Sequence, residues 1–199
     1  AAYPEVQRVL DLDALDLRAF APGAVVRAGD RSWTVADPRR EPGTIVDTVR
    51  APIGSPIDKA RLLALVRTAT KGTVPELLRT PDSSTREYLA SRGFSSTMIE
   101  RFWRPLFAGI QLDPDLDVSA RRFLLILRML ATGDAVVPAR GMGAIPEQLA
   151  AALPEGTVEL GVRVDALRGT TVRTVDGSSI EAEAVVVATD GSAAARLLD

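Results

Sequence analysis

The sequence has 199 residues, enough to bury a core, and a formal net charge of −2. Its basic residues are scattered along the chain, which argues against a nucleic-acid groove and against a polybasic membrane patch. Histidine and cysteine are both absent, which excludes disulfides, thiolate nucleophiles, imidazole bases and nearly every type of zinc site. Any acid–base chemistry therefore falls to carboxylates, lysine, tyrosine or a bound cofactor.

Residues 1–44 are predicted to form a β-ribbon and a connecting segment. The stretch from Pro4 to Leu10 has the pattern of a short helix. Two apolar stretches, Ala24 to Arg27 and Ser32 to Val35, flank Gly29-Asp30, a dipeptide typical of a tight turn. We therefore expect these two stretches to pair as a hairpin.

Residues 45–153 carry repeated signals for helix starts. The segment from Ser55 to Asp58 places a capping serine, a proline and a carboxylate at the start of the first long helix. A second helix is expected to begin with Asp82 or Ser83 as its cap, and a third with Ser95 or Ser96. The pattern predicts a helical subdomain.

The most apolar helix of this subdomain is predicted to begin at Ser119. The residues from Phe123 to Leu130 cover most of its circumference with apolar side chains, so we expect it to be buried between its neighbours. Pro105 is expected to bend or end the helix that precedes it. No apolar stretch reaches the roughly 18 residues of a membrane-spanning helix and no signal peptide is evident, so we expect a cytoplasmic protein without a membrane span.

Residues 154–199 change to a pattern of short strands, predicted at 157–160, 162–167, 170–175 and 180–183, with a tight turn at Asp176-Gly177. The run from Ala184 to Ala188 is continuously apolar, which is typical of a strand buried on both faces. Nothing else in the sequence has the pattern of a parallel partner. Either the neighbouring strands are missing through truncation, or helices of this same chain cover the run.

Two near-motifs are rejected as ligand sites. The segment from Gly141 to Pro146 approaches the dinucleotide fingerprint G-x-G-x-x-G, but a proline replaces the third glycine and no βαβ unit surrounds it. It predicts instead a tight turn into a helix that begins near Ile145 or Pro146. The alternating aspartates from Asp113 to Asp117 lack the glycine and glutamate of a calcium loop, so they predict a solvated turn.

Large apolar side chains are concentrated in one short stretch that ends at Ala108-Gly109. They are Phe102, Trp103, Leu106, Phe107 and Ile110. These side chains are suited to the wall of an apolar ligand cavity. Ordinary core packing explains the same spacing, so both interpretations stay open at this point.

Three segments, in this order, resemble flavin-containing amine oxidases, protoporphyrinogen oxidases and phytoene desaturases. They are FWRPLFAGI at Phe102 to Ile110 with the leucine-rich helix after it, VPARGMGAIP at Val137 to Pro146, and VVVAT at Val185 to Thr189. The resemblance covers nearly the whole sequence and is strongest from 98 to 189. It implies an FAD cofactor that oxidises a C–N or C–C bond by removing hydride. The protein then shapes the substrate site and excludes water from it.

The resemblance also assigns site residues by position. It implies that Val164 meets the adenine end of FAD through its backbone, and that Ala188 and Thr189 lie near the cofactor. It implies that the cavity for an apolar or amine substrate is lined by Phe107, Ala108, Gly109 and Ile110. Catalytic residues, the particular substrate and the electron acceptor cannot be read from the sequence.

We therefore predict an α+β chain with a β-ribbon at 1–44, a helical substrate-type subdomain at 45–153 and a β-rich segment of the flavin-binding domain at 154–199. Because the family's dinucleotide fingerprint and its C-terminal flavin motif are both missing, the FAD-binding fold is expected to be incomplete and the chain inactive alone, without retained FAD. The alternative is a non-enzymatic helical module that binds an apolar small molecule or a partner protein. Truncation also predicts a homodimer formed through an exposed strand edge.

Overall fold

The structure is a computed structural model that describes residues 3–37 and 40–198. It confirms the α+β class, with helices and short antiparallel strands. Its contacts divide the chain into a first unit that ends at Pro146 and a second unit that begins at Glu147. The three-part division at 44/45 and 153/154 remains a prediction.

The first unit opens with a short helix and a hairpin. Helix α1 is Pro4–Val9, strand β1 is Leu17–Ala19, and strands β2 (Ala24–Ala28) and β3 (Arg31–Val35) pair with Ala24 opposite Val35. Gly29 occupies the turn between β2 and β3 with a φ of +62°, a left-handed conformation that glycine adopts without strain. The predicted hairpin is confirmed.

A series of helices follows, as the capping signals predicted. They are α2 (Ile45–Arg50), α3 (Pro56–Thr70), α4 (Val74–Leu78), α5 (Thr85–Ser91), α6 (Ser96–Met98), α7 (Arg104–Gln111) and α8 (Ala120–Thr132), with a π-helical turn at Ile99–Trp103 between α6 and α7. Ser55, Ser95 and Ser119 cap α3, α6 and α8 through their side-chain oxygens.

One helix-boundary prediction was wrong. The cap of α5 is Ser84, which accepts a hydrogen bond from the Glu87 N–H, because Asp82 is already engaged by the Ser119 hydroxyl at 2.9 Å. Of the two outcomes expected at Pro105, a bend or an end of the helix, the end does not occur, because Pro105 lies in the first turn of α7. There, directly after the π-helical turn, the missing N–H of proline is tolerated.

The starts of α3 and α6 are joined by one buried carboxylate. Asp58, which is 0% exposed, accepts hydrogen bonds from the backbone N–H and hydroxyl of Ser55 and from the backbone N–H and hydroxyl of Ser95, each at 2.8 Å. Burial raises the pKa of Asp58, but these four hydrogen bonds outweigh it and lower the pKa to about 2. The carboxylate therefore stays ionised and fixes the two helix starts.

Helix α8 lies at the centre of the first unit, called the helical unit below, and contacts α3, α4 and α5. The second unit is called the β-rich unit. Phe123, Leu124 and Leu127 of α8 are buried, as the sequence predicted, whereas Leu130 is 42% exposed. The core around them is formed by side chains from the helices and from the loops between them, including Ile53, Leu65, Leu77, Leu89, Phe94, Met98, Trp103, Phe107 and Leu116.

The first unit closes with a strand and a turn. Strand β4 (Val136–Pro138) pairs antiparallel with β1, Gly141 turns the chain with a φ of +86°, and α9 begins at Ala144 and ends at Ala151. The predicted tight turn into a helix is confirmed, and the helix begins one residue earlier than expected.

The second unit contains a three-stranded antiparallel sheet of β5 (Val164–Arg168), β6 (Thr171–Thr174) and β7 (Ser179–Glu181), followed by helix α10 (Gly191–Leu198). The predicted turn at Asp176-Gly177 is confirmed between β6 and β7, and the Asp176 carboxylate accepts from the Ser178 N–H at 3.0 Å. The strands predicted at 157–160 and 184–188 were wrong, because neither segment pairs with a strand in the described residues. Without a hydrogen-bonding neighbour, an apolar run forms no ladder.

Candidate functional site

Helix α7 carries the four predicted substrate residues, which differ in their exposure to solvent. Phe107 is 0% exposed, and its ring centroid lies 4.5 Å from that of Phe123 and 5.8 Å from that of Trp103. Ala108 is half-buried, while Gly109 and Ile110 are exposed. Phe107 therefore packs in the core, and the surface of α7 available to a ligand is formed by the residues after it.

The end of α7 has three unusual features side by side. Gln111 is 4% exposed, and both polar atoms of its amide lack a hydrogen-bond partner in the described part of the chain. Leu112 ends the helix in the left-handed conformation, with a φ of +55°, and is 89% exposed. The space beside Gly109 is open, since an added Cβ would meet no atom within 4 Å. Unsatisfied buried amides and left-handed non-glycine residues are costly, and they concentrate at binding sites.

Further unsatisfied polar atoms border the aromatic cluster next to Gln111. The indole Nε1 of Trp103 and the hydroxyl of Tyr88 are buried without partners in the described residues. Both rings contact Phe123, with centroid distances of 5.4 Å for Trp103 and 6.3 Å for Tyr88. Trp103 also ends the π-helical turn, a distortion that is frequent at functional sites.

Sequence reasoning missed these polar groups. The available signal was Gln111 itself, which follows Phe107 by four residues and Trp103 by eight, and so continues their helical face. An amide on an otherwise apolar helical face predicts a buried polar group.

Val164, the predicted contact for the adenine end of FAD, begins β5 opposite Thr174 and is 37% exposed. A cleft of about 370 Å³ lies directly beside it, lined by residues 161–163 and 174–176. The Val175 N–H donates to the Arg163 carbonyl at 2.9 Å, which holds the two walls of this cleft together. Backbone groups therefore form the border of the cleft next to Val164.

Ala188 and Thr189, the other two predicted cofactor residues, are exposed and follow the unpaired valine run. Asp190 comes next and caps α10, accepting from the Ala193 N–H at 2.9 Å. Helix α10 packs against β5, the strand that begins at Val164. The structure thus places Val164 at the start of β5, and Ala188 and Thr189 in the segment that leads into α10.

The described residues do not form a complete FAD site. A dinucleotide cradle needs a parallel βαβ unit with a glycine-rich turn that leads into a helix. Every strand pair in the described part of the chain is antiparallel, and the strand before the Gly141 turn, β4, pairs antiparallel with β1. The described residues therefore contain no cradle for the pyrophosphate of a dinucleotide.

The structure offers few groups for acid–base or metal chemistry. Residues 3–37 and 40–198 contain no group of three or more acidic side chains placed to hold a metal ion. Burial lowers the pKa of Lys59, but its ammonium donates to the carbonyl oxygens of Val49 and Ala51 and is fixed there. Asp113 accepts from the Val118 N–H at 2.7 Å, which lowers its pKa, so this carboxylate stabilises a turn, as the sequence predicted.

None of the helices in the described ranges is both long enough and apolar enough to span a bilayer.

Comparisons with known proteins agree with the resemblance. A search of curated proteins found no match. The family model described as "Flavin containing amine oxidoreductase" matches residues 5–199, which is nearly the whole chain. Members of this family are flavin-dependent oxidoreductases. The chain therefore belongs to the flavin-containing amine oxidoreductase family.

Proposed function

We propose that this chain forms the substrate-side region of an FAD-dependent oxidoreductase that oxidises a C–N or C–C bond of an apolar or amine small molecule. The end of α7 supports the proposal. Ile110 and Leu112 present apolar surface at 40% and 89% exposure, and the unsatisfied amide of Gln111 lies between them in the sequence. Exposed apolar surface of this kind is suited to bind the apolar part of a small molecule.

The residues of this site supply binding and not chemistry. Gly109 leaves room for a ligand to approach the backbone, and Ile110 removes apolar substrate surface from water. Phe107 supports the site from beneath, because its ring packs against Phe123 and Trp103 and so fixes the helix that carries Ile110.

We assign Val164, Ala188 and Thr189 to one edge of the flavin site, within the β-rich segment at 154–199. The exposed cleft beside Val164 and the exposure of Ala188 and Thr189 support this assignment. Because the described residues have no pyrophosphate cradle, we propose that the chain alone is inactive and does not retain FAD.

Titration of FAD with the purified chain tests cofactor retention. Flavin fluorescence is followed during the titration, and dialysis then measures tight retention. We expect no stoichiometric binding. A dissociation constant of about 1 μM or tighter, roughly −8 kcal/mol, would mean that a complete flavin site exists in this chain.

The substrate site is tested separately, by mapping benzylamine onto the wild-type chain with amide chemical shifts. We expect perturbations concentrated at Gly109 to Leu112, lost in Ile110→Ser and retained in Ile57→Ser. Ile57 is a matched control because it is 62% exposed and lies in α3. Perturbations that lie elsewhere, or that both variants abolish equally, would contradict this assignment.

We also propose that the unpaired segment 184–188 supports a homodimer. Val186 is 87% exposed, and unpaired apolar backbone is a template for pairing with a second chain. Sedimentation is expected to show a concentration-dependent dimer that Val186→Lys dissociates, while Val25→Lys, at a residue 73% exposed in β2, leaves it intact. A monomer at every concentration, or equal dissociation by both variants, would rule out this dimer.

A further inference from the structure

A second cleft lies in the helical unit, apart from the residues assigned to substrate and flavin. It is bordered by the end of α3, by α4, by α5 and by α8, and has a volume of about 530 Å³. Small-molecule sites commonly occupy about 300–1,000 Å³. Its floor is apolar, formed by Leu77, Leu124 and the ring of Tyr88. We call this cleft the cationic groove, for the charges described next.

Two cations line the cationic groove without a carboxylate partner. Neither Lys71 nor Arg92 forms an ion pair within the described residues. The Arg92 guanidinium lies 4.9 Å from the centroid of the Tyr88 ring, a cation–π contact that orients it over the floor. The groove therefore presents positive charge above an apolar surface.

The one carboxylate of the groove is already engaged. Glu76 accepts from the Thr73 N–H at 2.7 Å in the capping box of α4, and this hydrogen bond lowers its pKa. The carboxylate stays ionised at the helix start, but it forms no ion pair with Lys71 or Arg92 within the described residues. Two positive charges and one negative charge leave the groove with a net positive charge.

The wall of the groove is fixed before any ligand binds. Arg128 donates to the carbonyl oxygens of Ala69 and Lys71 at 3.1 Å and to that of Gly72 at 2.9 Å, which holds the end of α3 in place. Gly72 has a φ of +64°, and a Cβ there would lie 2.6 Å from the Glu76 carboxylate. Because this wall is already ordered, ligand binding loses little conformational entropy there.

We propose that the cationic groove binds a small monoanionic aromatic carboxylate. The aromatic body lies on Leu77, Leu124 and Tyr88, and the carboxylate is held by Lys71 and Arg92. Charge complementarity selects the anion, and the apolar floor selects the aromatic body. None of these residues belongs to the proposed substrate or flavin site, so the inference stands independently of the proposed function.

Calorimetric titration with 1-naphthoate tests this proposal on the intact chain. We expect saturable binding of one molecule per chain, weakened about tenfold in Lys71→Gln/Arg92→Gln, because this variant removes both charged contacts to the carboxylate. The matched control is Arg50→Gln/Arg122→Gln, which removes the same charge at two arginines outside the groove. The control is expected to bind within about twofold of wild type.

Two further measurements make the result independent of variant folding. The neutral analogue 1-naphthalenemethanol is expected to bind the wild type at least about tenfold more weakly than the carboxylate. Amide chemical shifts of the wild type are expected to change on 1-naphthoate binding at Gly72, Leu77 and Tyr88. The proposal is overturned by absent saturable binding, by equal weakening in the two double variants, by equal binding of the alcohol, or by shift changes confined to other regions.

Discussion

The helical unit and the β-rich unit both contain regular secondary structure but differ in what they bury. In the helical unit, Trp103, Phe107 and Phe123 are at most 1% exposed and their rings contact one another. In residues 147–198, Thr174 is the one side chain that is buried, while Leu160 and Val186 are 88% and 87% exposed. Turn chemistry and ladder hydrogen bonds can specify a small sheet, but a stable domain also needs a core.

The largest effect expected from this difference follows removal of one core ring. Phe123→Ala is expected to lower the free energy of unfolding by about 4 kcal/mol, because it leaves a cavity among packed aromatic rings. Val186→Ala, in the other unit, is expected to change it by less than about 0.5 kcal/mol. Urea unfolding measures both: tryptophan fluorescence follows the first unit, which holds Trp33 and Trp103, and amide NMR signals follow residues 147–198, which hold no tryptophan. Similar losses in the two variants would contradict the contrast between the units.

A somewhat smaller effect is expected at the buried carboxylate of the helical unit. Asp58→Asn keeps the shape of the side chain but places an amide N–H₂ among hydrogen-bond donors, so it is expected to cost about 3 kcal/mol. Asp115→Asn is the control, since Asp115 is exposed on the surface. Chemical denaturation distinguishes the two, and an Asp58→Asn variant as stable as wild type would show that the charge is dispensable.

Asp58 also predicts that the free energy of unfolding depends on pH. The pKa of Asp58 is lowered in the folded state to about 2 from an ordinary value of 3.8, so the folded state favours the ionised form. The resulting stability is fully present above pH 3.8 and is lost as the pH falls toward 2. We expect the loss of stability between these pH values to be smaller in Asp58→Asn than in wild type. Identical acid profiles would contradict the assignment.

The smallest expected effect is at a helix cap. Ser84→Ala is expected to cost about 1 kcal/mol, because it removes the acceptor for the Glu87 N–H at the start of α5. Ser83→Ala is the control and is expected to cost less than about 0.5 kcal/mol. Thermal unfolding of the two single variants measures the difference. A larger loss in Ser83→Ala would return the cap to the position that the sequence predicted.

Local chemistry made much of the fold predictable. Ser55, Ser95 and Ser119 cap the helices that the sequence assigned to them, and the turn at Asp176-Gly177 forms as expected. The second cap was misplaced because Asp82-Ser83-Ser84 offers three competent capping residues in a row. The structure selects Ser84, because Glu87 three residues later completes a capping box with it and because Asp82 accepts from the Ser119 hydroxyl.

The features that escaped prediction depend on distant neighbours. The apolar run 184–188 predicts a strand. Strand formation, however, requires a hydrogen-bonding partner that the described residues do not provide. The spacing of Gln111 predicts that its amide is buried, but it does not show that the amide lacks hydrogen-bond partners, because these depend on the neighbouring elements. For the candidate site, the sequence located the stretch at α7 but not the division between the buried Phe107 and the exposed Ile110.

Native-state hydrogen exchange tests the contrast between the two units most directly, because it reports the opening free energy of each amide. We predict that amides of α8 exchange only on global unfolding, while amides of β5, β6 and β7 exchange through local opening at a much lower free energy. Protection of the β5–β7 amides equal to that of α8 would show that the β-rich unit is stable without further apolar cover, and would contradict this account.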